Sequence, residues 1–255
     1  MSKSEIQPDI HVSNLNKSFV TSQGTLEVIK GVSFDVKQGE ILCLIGPSGC
    51  GKTTILRILA GLEKSESGEI NLAVNSDDRF AFLHQTPVLL AWRTVFQNAG
   101  LGAELRTNNI ESGDIARVHR LLDIFGLADF ASYMPNDLSG GMRQRLSVVR
   151  ALSSNPDILL CDEPFSAIDY VARFELNTQF RRICKHHKIT CVFITHNIEE
   201  AIYLADTLIV LSSRPCREIS RHFPNDVVDK DSAFACRESS GFDSLFREVW
   251  GNLRY

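Results

Sequence analysis

Nine residues, Gly46-Pro47-Ser48-Gly49-Cys50-Gly51-Lys52-Thr53-Thr54, carry the spacing G-x-x-x-x-G-K-[ST]. That spacing suits a phosphate chain. A polyphosphate needs several N–H donors converging on it, and glycines let the backbone wrap that closely. A helix predicted from Ile55 to Ala60 would point its positive end at the same anion. Lys52 is placed to reach the β- and γ-phosphates, and the Thr53 hydroxyl to ligate Mg²⁺. The preceding apolar run, Ile41 to Ile45, reads as a buried strand. The required strand–loop–helix setting is therefore present.

Further downstream, an apolar strand over Ile158 to Cys161 delivers two acids, Asp162 and Glu163, at its tip. Asp162 can hold the hydration shell of Mg²⁺, and Glu163 can orient and deprotonate an attacking water. Taken alone, such a pair is also a common turn. The stretch Leu138-Ser139-Gly140-Gly141-Met142-Arg143-Gln144-Arg145 offers a hydroxyl, two bare amides and the start of a helix running through Leu152. Together these make a second anion cradle. One domain has little use for two cradles facing one nucleotide, so the second would serve the nucleotide of a second copy. The alternative is a capped helix with a glycine turn.

Lesser candidates stand at other element ends. Gln85 lies just past a strand end and could offer its carbonyl oxygen to a metal or water, or serve as a polar loop residue. His196 ends the strand Ile189 to Ile194 and could touch a γ-phosphate, or be an ordinary satisfied histidine. Phe19 is either an adenine-stacking aromatic or a core one. Leu89-Leu90-Ala91-Trp92 is a partner-binding patch if exposed, and core if not.

The elements that must position these groups follow from periodicity. Ile10 to Phe19 and Leu26 to Val36 alternate and suggest an antiparallel β layer. Glu69 to Val74 and Arg79 to Leu83 read as strands about the turn Asn75-Ser76-Asp77-Asp78. Thr94 and Gln97 form a capping-box pattern for a following helix. Thr107-Asn108-Asn109 with Glu111-Ser112-Gly113 reads as a loop, and Asp114 as the cap of a helix stopped by Gly126. A helix from Tyr170 to Cys184, a crossover helix Asn197 to Leu204, and strands Asp206 to Leu211 and Glu218 to Phe223 come next. A polar linker then leads to helically spaced Phe242, Leu245, Phe246, Val249 and Trp250.

The bulk properties bound the partners. The chain has 255 residues, 44% hydrophobic and 23% charged, which suits a large α/β domain. A net charge of −4 argues against binding nucleic acid by bulk electrostatics. No apolar run approaches the roughly 20 residues that span a bilayer, and Met1 to Glu5 lack a signal-peptide core. The seven cysteines show no C-x-x-C pair and read as reduced core residues.

Taken in order, the phosphate loop, Gln85, Leu138 to Gly141, Ile158 to Glu163, Asp169 and His196 resemble the ATP-binding subunit of an ABC transporter. The resemblance runs from about Val12 to Leu211. It implies an α/β P-loop NTPase core with an antiparallel β subdomain and an inserted helical subdomain at about 87–155. Residues 10–212 would form the ATP-binding domain, and 213–255 a short extension packed on it. The implied cofactors are ATP and Mg²⁺. ATP would be held by Phe19, Gly46 to Thr54, Gln85, Ser139, Gly140, Gly141 and Asp169. Mg²⁺ would be held by Thr53, Gln85 and Asp162, and catalysis would fall to Lys52, Glu163 and His196. Two copies would close head-to-tail on two ATP molecules. Transmembrane permease subunits would dock near Leu89, Leu90 and Trp92 at the cytoplasmic face of the membrane. An extracytoplasmic solute-binding protein would take part indirectly, and nucleic acid not at all.

Leu89 to Val95, Met142 to Arg145, Ser213-Arg214-Pro215 and Phe246 to Trp250 are similar to the branch importing nitrate, taurine or other alkanesulfonates, or bicarbonate. Ala91 stands where that branch usually has proline, Ile168 where it has leucine, and the segment between Glu69 and Gln85 is short. Importers of vitamin precursors stay open as an alternative. So does a soluble ATPase acting on ribosome or DNA, although such proteins carry two cassettes or long coiled coils. A regulatory nucleotide binder without hydrolysis fits poorly with intact Lys52, Asp162, Glu163 and His196.

Overall fold

The computed structural model describes residues 9–72, 80–107 and 111–253. The expected turn Asn75 to Asp78, with Val74 and Arg79, lies outside the described residues, as do Asn108, Asn109 and Met1 to Glu5. The chain divides into two compact units, Met1–Asp77 with Arg181–Tyr255, and Asp78–Phe180.

The first unit holds two sheets. Strands β1 (Ile10–Thr21), β2 (Gly24–Val36) and β4 (Ser67–Leu72) pair antiparallel with β1 in the middle. Their alternating burial follows the alternating sequence. Strands β3 (Ile41–Ile45), β7 (Thr190–Ile194) and β8 (Thr207–Leu211) run parallel with β3 between the other two. Every residue of these three strands is buried, which explains why they read as unbroken apolar runs rather than as alternation. Strand β9 (Glu218–His222) adds antiparallel to β8. The helices are α1 (Lys52–Leu59), α6 (Ile198–Leu204), α7 (Ala233–Glu238) and α8 (Phe242–Asn252).

The second unit pairs β5 (Phe80–Leu83) with β6 (Ile158–Asp162) in parallel. Its helices are α2 (Val95–Thr107), α3 (Ser112–Ile124) and α4 (Gly140–Ser153), with the first turns of α5 (Tyr170–His186). The expected capping box starts α2. Thr94 N–H donates to Gln97 Oε1 at 2.9 Å, and Gln97 N–H to Thr94 Oγ1 at 3.2 Å. Asp114 is not the cap of α3. Glu111 occupies that position, and Asp114 sits three residues inside, taking the Glu111 N–H at 3.4 Å. Asp114 is buried, paired with Arg106 at 2.7 Å, and completes the capping box from its third position, while Ser112 and Gly113, expected in the loop, already belong to α3.

The C-terminal stretch read as a polar linker contains α7, capped by Ser232. Its short run of weakly apolar residues gave no periodic signal. The linker is held by polar bonds: Lys230 Nζ donates to the carbonyls of Ile202, Tyr203 and Ala205 at the end of α6. Asn252 Nδ2 bonds Ser220 Oγ at 2.8 Å. Phe242, Leu245 and Val249 are buried, as their helical spacing predicts.

Asp206 ties this unit together. Its carboxylate accepts from Ile41 N–H at 2.8 Å, Asn225 Nδ2 at 2.8 Å, Arg181 at 3.2 Å and Lys185. Burial opposes its ionisation. The bonds from Lys185, Asn225 and Ile41 outweigh burial and hold the carboxyl below its ordinary range. A depressed carboxyl stabilises the fold above its unfolded pKa of about 3.9, and the contribution vanishes as pH falls through the lower folded value. Asp206→Asn should therefore cost about 1–3 kcal/mol at pH 7, as expected for losing hydrogen bonds to charged groups. The gap to wild type should narrow below about pH 4, as measured by urea unfolding at both pH values.

Candidate functional site

In the first unit the chemistry gathers at the C-terminal ends of the parallel strands. Because β3 is in register with β7 and β8, all three end together: Leu44 pairs with Ile194, and Ile45 with Val210. The phosphate loop leaves β3 at Gly46. A Cβ there would stand 2.9 Å from Leu211 O, so only glycine lets the loop pass the end of β8. Gly49 and Gly51 take φ of 72° and 128°, the left-handed region that suits glycine. A side chain on Gly51 would also meet Val28 at 3.0 Å. Helix α1 begins at Lys52 after Gly51, and no side chain of the cap position bonds its first N–H groups. This is the arrangement that binds anions.

Lys52 is buried, and its ammonium donates to Gly46 O at 2.8 Å and Pro47 O at 3.0 Å. Ser48, Gly49 and Thr53 are exposed; Pro47 and Thr54 are half-buried. His196 follows β7 and is exposed. Its neighbour Thr195 is buried, donates its hydroxyl to Glu200, and accepts Asn197 N–H at 3.0 Å. That clasp shapes the turn on which His196 stands. Phe19 is half-buried on β1, and Lys17 Nζ lies over its ring at 4.7 Å.

In the second unit, β6 delivers buried Asp162 and then Glu163. Glu163 has φ of 47°, a left-handed conformation that a non-glycine residue rarely adopts. Strain of about 1–3 kcal/mol is tolerated where a side chain must be aimed. Leu83 of β5 pairs with Cys161 of β6, so the strand ends bring Gln85 beside Glu163. Gln85 Nε2 donates to Glu163 Oε2 at 3.4 Å.

Ser139 caps α4, its Oγ accepting Met142 N–H at 3.2 Å. Gly140 and Gly141 then open the helix. A Cβ on Gly140 would meet nothing within 4 Å, and one on Gly141 only ordinary contacts. Neither glycine is required by packing or by a positive φ. Asp169 caps α5 by accepting Ala172 N–H at 3.0 Å.

Two residues that sequence reasoning passed over hold these parts. Gln144 is buried on α4; it donates to Gln85 O at 3.2 Å and accepts Ala167 N–H at 3.0 Å. It lies five residues past Ser139 on the same helix, and that spacing was its only signal. Asn98 is fully buried; it accepts Leu90 N–H at 2.8 Å and donates to the carbonyls of Leu90, Arg93 and Thr94. These bonds shape the loop at Leu89 to Trp92. The open choice there resolves as exposed for Trp92, at 74%, and for Val88, with Leu89 and Leu90 half-buried.

Thr53, Gln85 and Asp162 are hard oxygen donors, and among the described residues no three His, Cys, Asp or Glu side chains gather as a metal cage. Oxygen donors of this kind are what Mg²⁺ takes, together with phosphate and water. Among the described residues no helix is long and apolar enough to cross a membrane.

The chain matches the family model described as ABC transporter over residues 29–166. It is 41% identical over 188 residues to the aliphatic sulfonates import ATP-binding protein SsuB 1 of Pseudomonas savastanoi pv. phaseolicola, covering 74% of this chain and 76% of that protein. It is 32% identical to the ABC transporter ATP-binding protein YtlC of Bacillus subtilis over 96% of this chain and 95% of that one. In three dimensions it is similar to the dimeric ABC transporter cassette MJ0796, with TM-score 0.75, 27% identity, and coverage of 84% of this chain and 98% of that one. The same cassette in a post-hydrolysis state bound to ADP and Pi gives TM-score 0.74. The α/β P-loop fold expected from the motifs is thus borne out.

Gln144→Leu removes both bonds between α4 and its two neighbouring loops. Stability should fall by about 1–3 kcal/mol, the cost of leaving polar partners unmet. Amide exchange at Ala167 should quicken ahead of the rest of the second unit in a hydrogen-exchange series.

Proposed function

Because the chain belongs to the ABC transporter family as an ATP-hydrolysing subunit, we propose that it powers a membrane importer for an alkanesulfonate or a similar small solute. Its similarity to the sulfonate-import protein of Pseudomonas supports this class of cargo. The proposal places it at the cytoplasmic face of the membrane as a head-to-tail dimer bound to transmembrane permease subunits. A solute-binding protein on the far side would deliver the cargo.

The observation that carries this reading is the pair of glycines at the start of α4. A glycine inside a helix costs about 0.5–1 kcal/mol relative to alanine. Gly140 meets no neighbour that would exclude a methyl group. Bare amides kept at such a cost fit a ligand that arrives from outside the subunit, and the γ-phosphate of ATP held by a second copy has the right charge.

In this reading the loop from Gly46 to Thr54 wraps the phosphates with its N–H groups. The Lys52 ammonium exchanges the carbonyls of Gly46 and Pro47 for phosphate oxygens. Phe19 stacks on adenine, and His196 bonds the γ-phosphate. Glu163 orients the attacking water and accepts its proton, while Gln85, bonded to it, reports the state of the site to the membrane partner. Ser139, Gly140 and Gly141 complete the site of the opposite copy, and Asp169 lines the same seam. Bound Mg²⁺ would neutralise charge developing on the phosphates, held by Thr53, Gln85 and, through water, Asp162. Exposed Trp92, on the loop that Asn98 shapes, is the proposed permease contact, flanked by Leu89 and Leu90.

Glu163→Gln should bind ATP, hydrolyse it hardly at all, and elute as a dimer. Adding Gly140→Ala to that variant should return it to monomer with ATP affinity intact, read by light scattering and nucleotide titration. A double variant that stays dimeric would remove the cradle from the interface. Trp92→Asp, at an exposed site, should change stability by less than about 0.5 kcal/mol. It should nonetheless weaken co-purification with the permease subunits, and undiminished recovery would count against docking there.

A further inference from the structure

Glu163 stands at the tip of β6 with a left-handed backbone, φ 47°, and a residue strained in this way keeps its aim only where its surroundings fix it. Contacts reach it from two loops. Its carboxylate accepts from Gln85 Nε2 at 3.4 Å. Its carbonyl accepts Ser166 N–H at 3.2 Å, which closes the turn leading into Ala167. The backbones of Gln85 and Ala167, far apart in the chain, are both bonded to one carboxamide, that of Gln144.

We propose that Gln144 is a positioning residue for the hydrolytic step: its carboxamide sets the two loops that aim Glu163 at the attacking water. This role rests on Glu163 being the base of the proposed ATPase reaction.

The partners fix which way the carboxamide faces. Ala167 N–H can only donate, and it meets Oε1 at 3.0 Å. The Gln85 carbonyl can only accept, and it meets Nε2 at 3.2 Å. Turned over, the side chain would lose both bonds. The same Nε2 lies 3.5 Å from Ser166 Oγ, on the turn that Glu163 opens. Gln144 is 2% exposed, so water does not compete for these groups. An apolar side chain would fill the space equally well; what the carboxamide adds is a donor and an acceptor in one plane, directed at different loops.

Helix α4 gives that plane a fixed base. Arg145 Nη1 donates to Phe125 O at 3.0 Å, at the end of α3. A Cβ on Gly102 of α2 would stand 2.6 Å from Arg150 O, so α2 packs directly on the backbone of α4. A side chain carried by a packed helix places its target more exactly than a loop places itself. Misplacing a reacting group by about 1 Å can cost on the order of 100-fold in rate.

The test compares the full chain with Gln144→Met and Gln144→Glu, each alone and combined with Glu163→Gln. ATP affinity is read by nucleotide titration, and ATP cleavage in single turnovers with protein in excess, at a temperature where each variant is folded. Gln144→Met keeps the length of the side chain and loses both bonds. It should bind ATP like wild type and cleave it on the order of 100-fold more slowly. Combined with Glu163→Gln it should slow cleavage no further, because the group it aims is gone. Gln144→Glu keeps the acceptor for Ala167 but, when ionised, turns a negative oxygen towards the Gln85 carbonyl. Protonation restores the donor, and burial raises the pKa of such a carboxyl, so its rate relative to wild type should climb between about pH 8 and about pH 6. That profile carries the test even if the methionine variant does not fold. Wild-type cleavage rates in both Gln144 variants would overturn the positioning role and leave Glu163 as the base. So would an equal proportional loss with and without Glu163, or a rate loss explained by weaker ATP binding. Full turnover in Glu163→Gln alone would overturn the base assignment and the positioning role with it.

Discussion

A parallel strand buried on both faces cannot end just anywhere. Strand β3 satisfies its backbone through β7 on one side and β8 on the other, and burial leaves no tolerance for an unpaired group among them. Register therefore forces the three strands to finish level, and the chain must turn where they do. Glycine at position 46 is the only residue that clears Leu211 at that turn. The phosphate loop is less an independent motif than the exit that this strand is obliged to take.

The polar interior of the first unit serves the same constraint. Asp206 sits before β8 and accepts the first N–H of β3, so one carboxylate pins the starting edge of two strands. Arg181 and Lys185 come from α5 to neutralise it, and Asn225 from the C-terminal segment. A half-buried carboxylate left without those donors would cost about 1–3 kcal/mol. The segment past β9 is thus bound to the sheet by the charge that sets the sheet's register.

The second unit solves a different problem, which is aiming. Glu163 accepts a strained backbone at the tip of β6, and Gln85 meets it because β5 and β6 are in register. Gln144 joins the Gln85 loop to the loop after Glu163 from within α4, the helix that Ser139 begins. A displacement at the start of α4 therefore reaches the loop that carries Gln85 through one buried side chain.

The motifs were legible in the sequence because their chemistry is local. Glycines at positions 46, 49 and 51, a lysine at 52, and an acid pair after an apolar run each state what they do within a few residues. Unbroken apolar runs likewise announced β3, β6, β7 and β8. Tertiary structure alone decided the long-range matters. It put Glu111 rather than Asp114 at the head of α3, because Arg106 draws Asp114 into a buried pair. It exposed Trp92, because Asn98 consumes the polar backbone of its loop. It set Cys216 beside the Gly51 turn, residues far apart in the chain, because that turn and a bridge to β2 meet there. Partners distant in sequence leave no period and no spacing to read, since only burial and hydrogen bonding in the folded chain choose them.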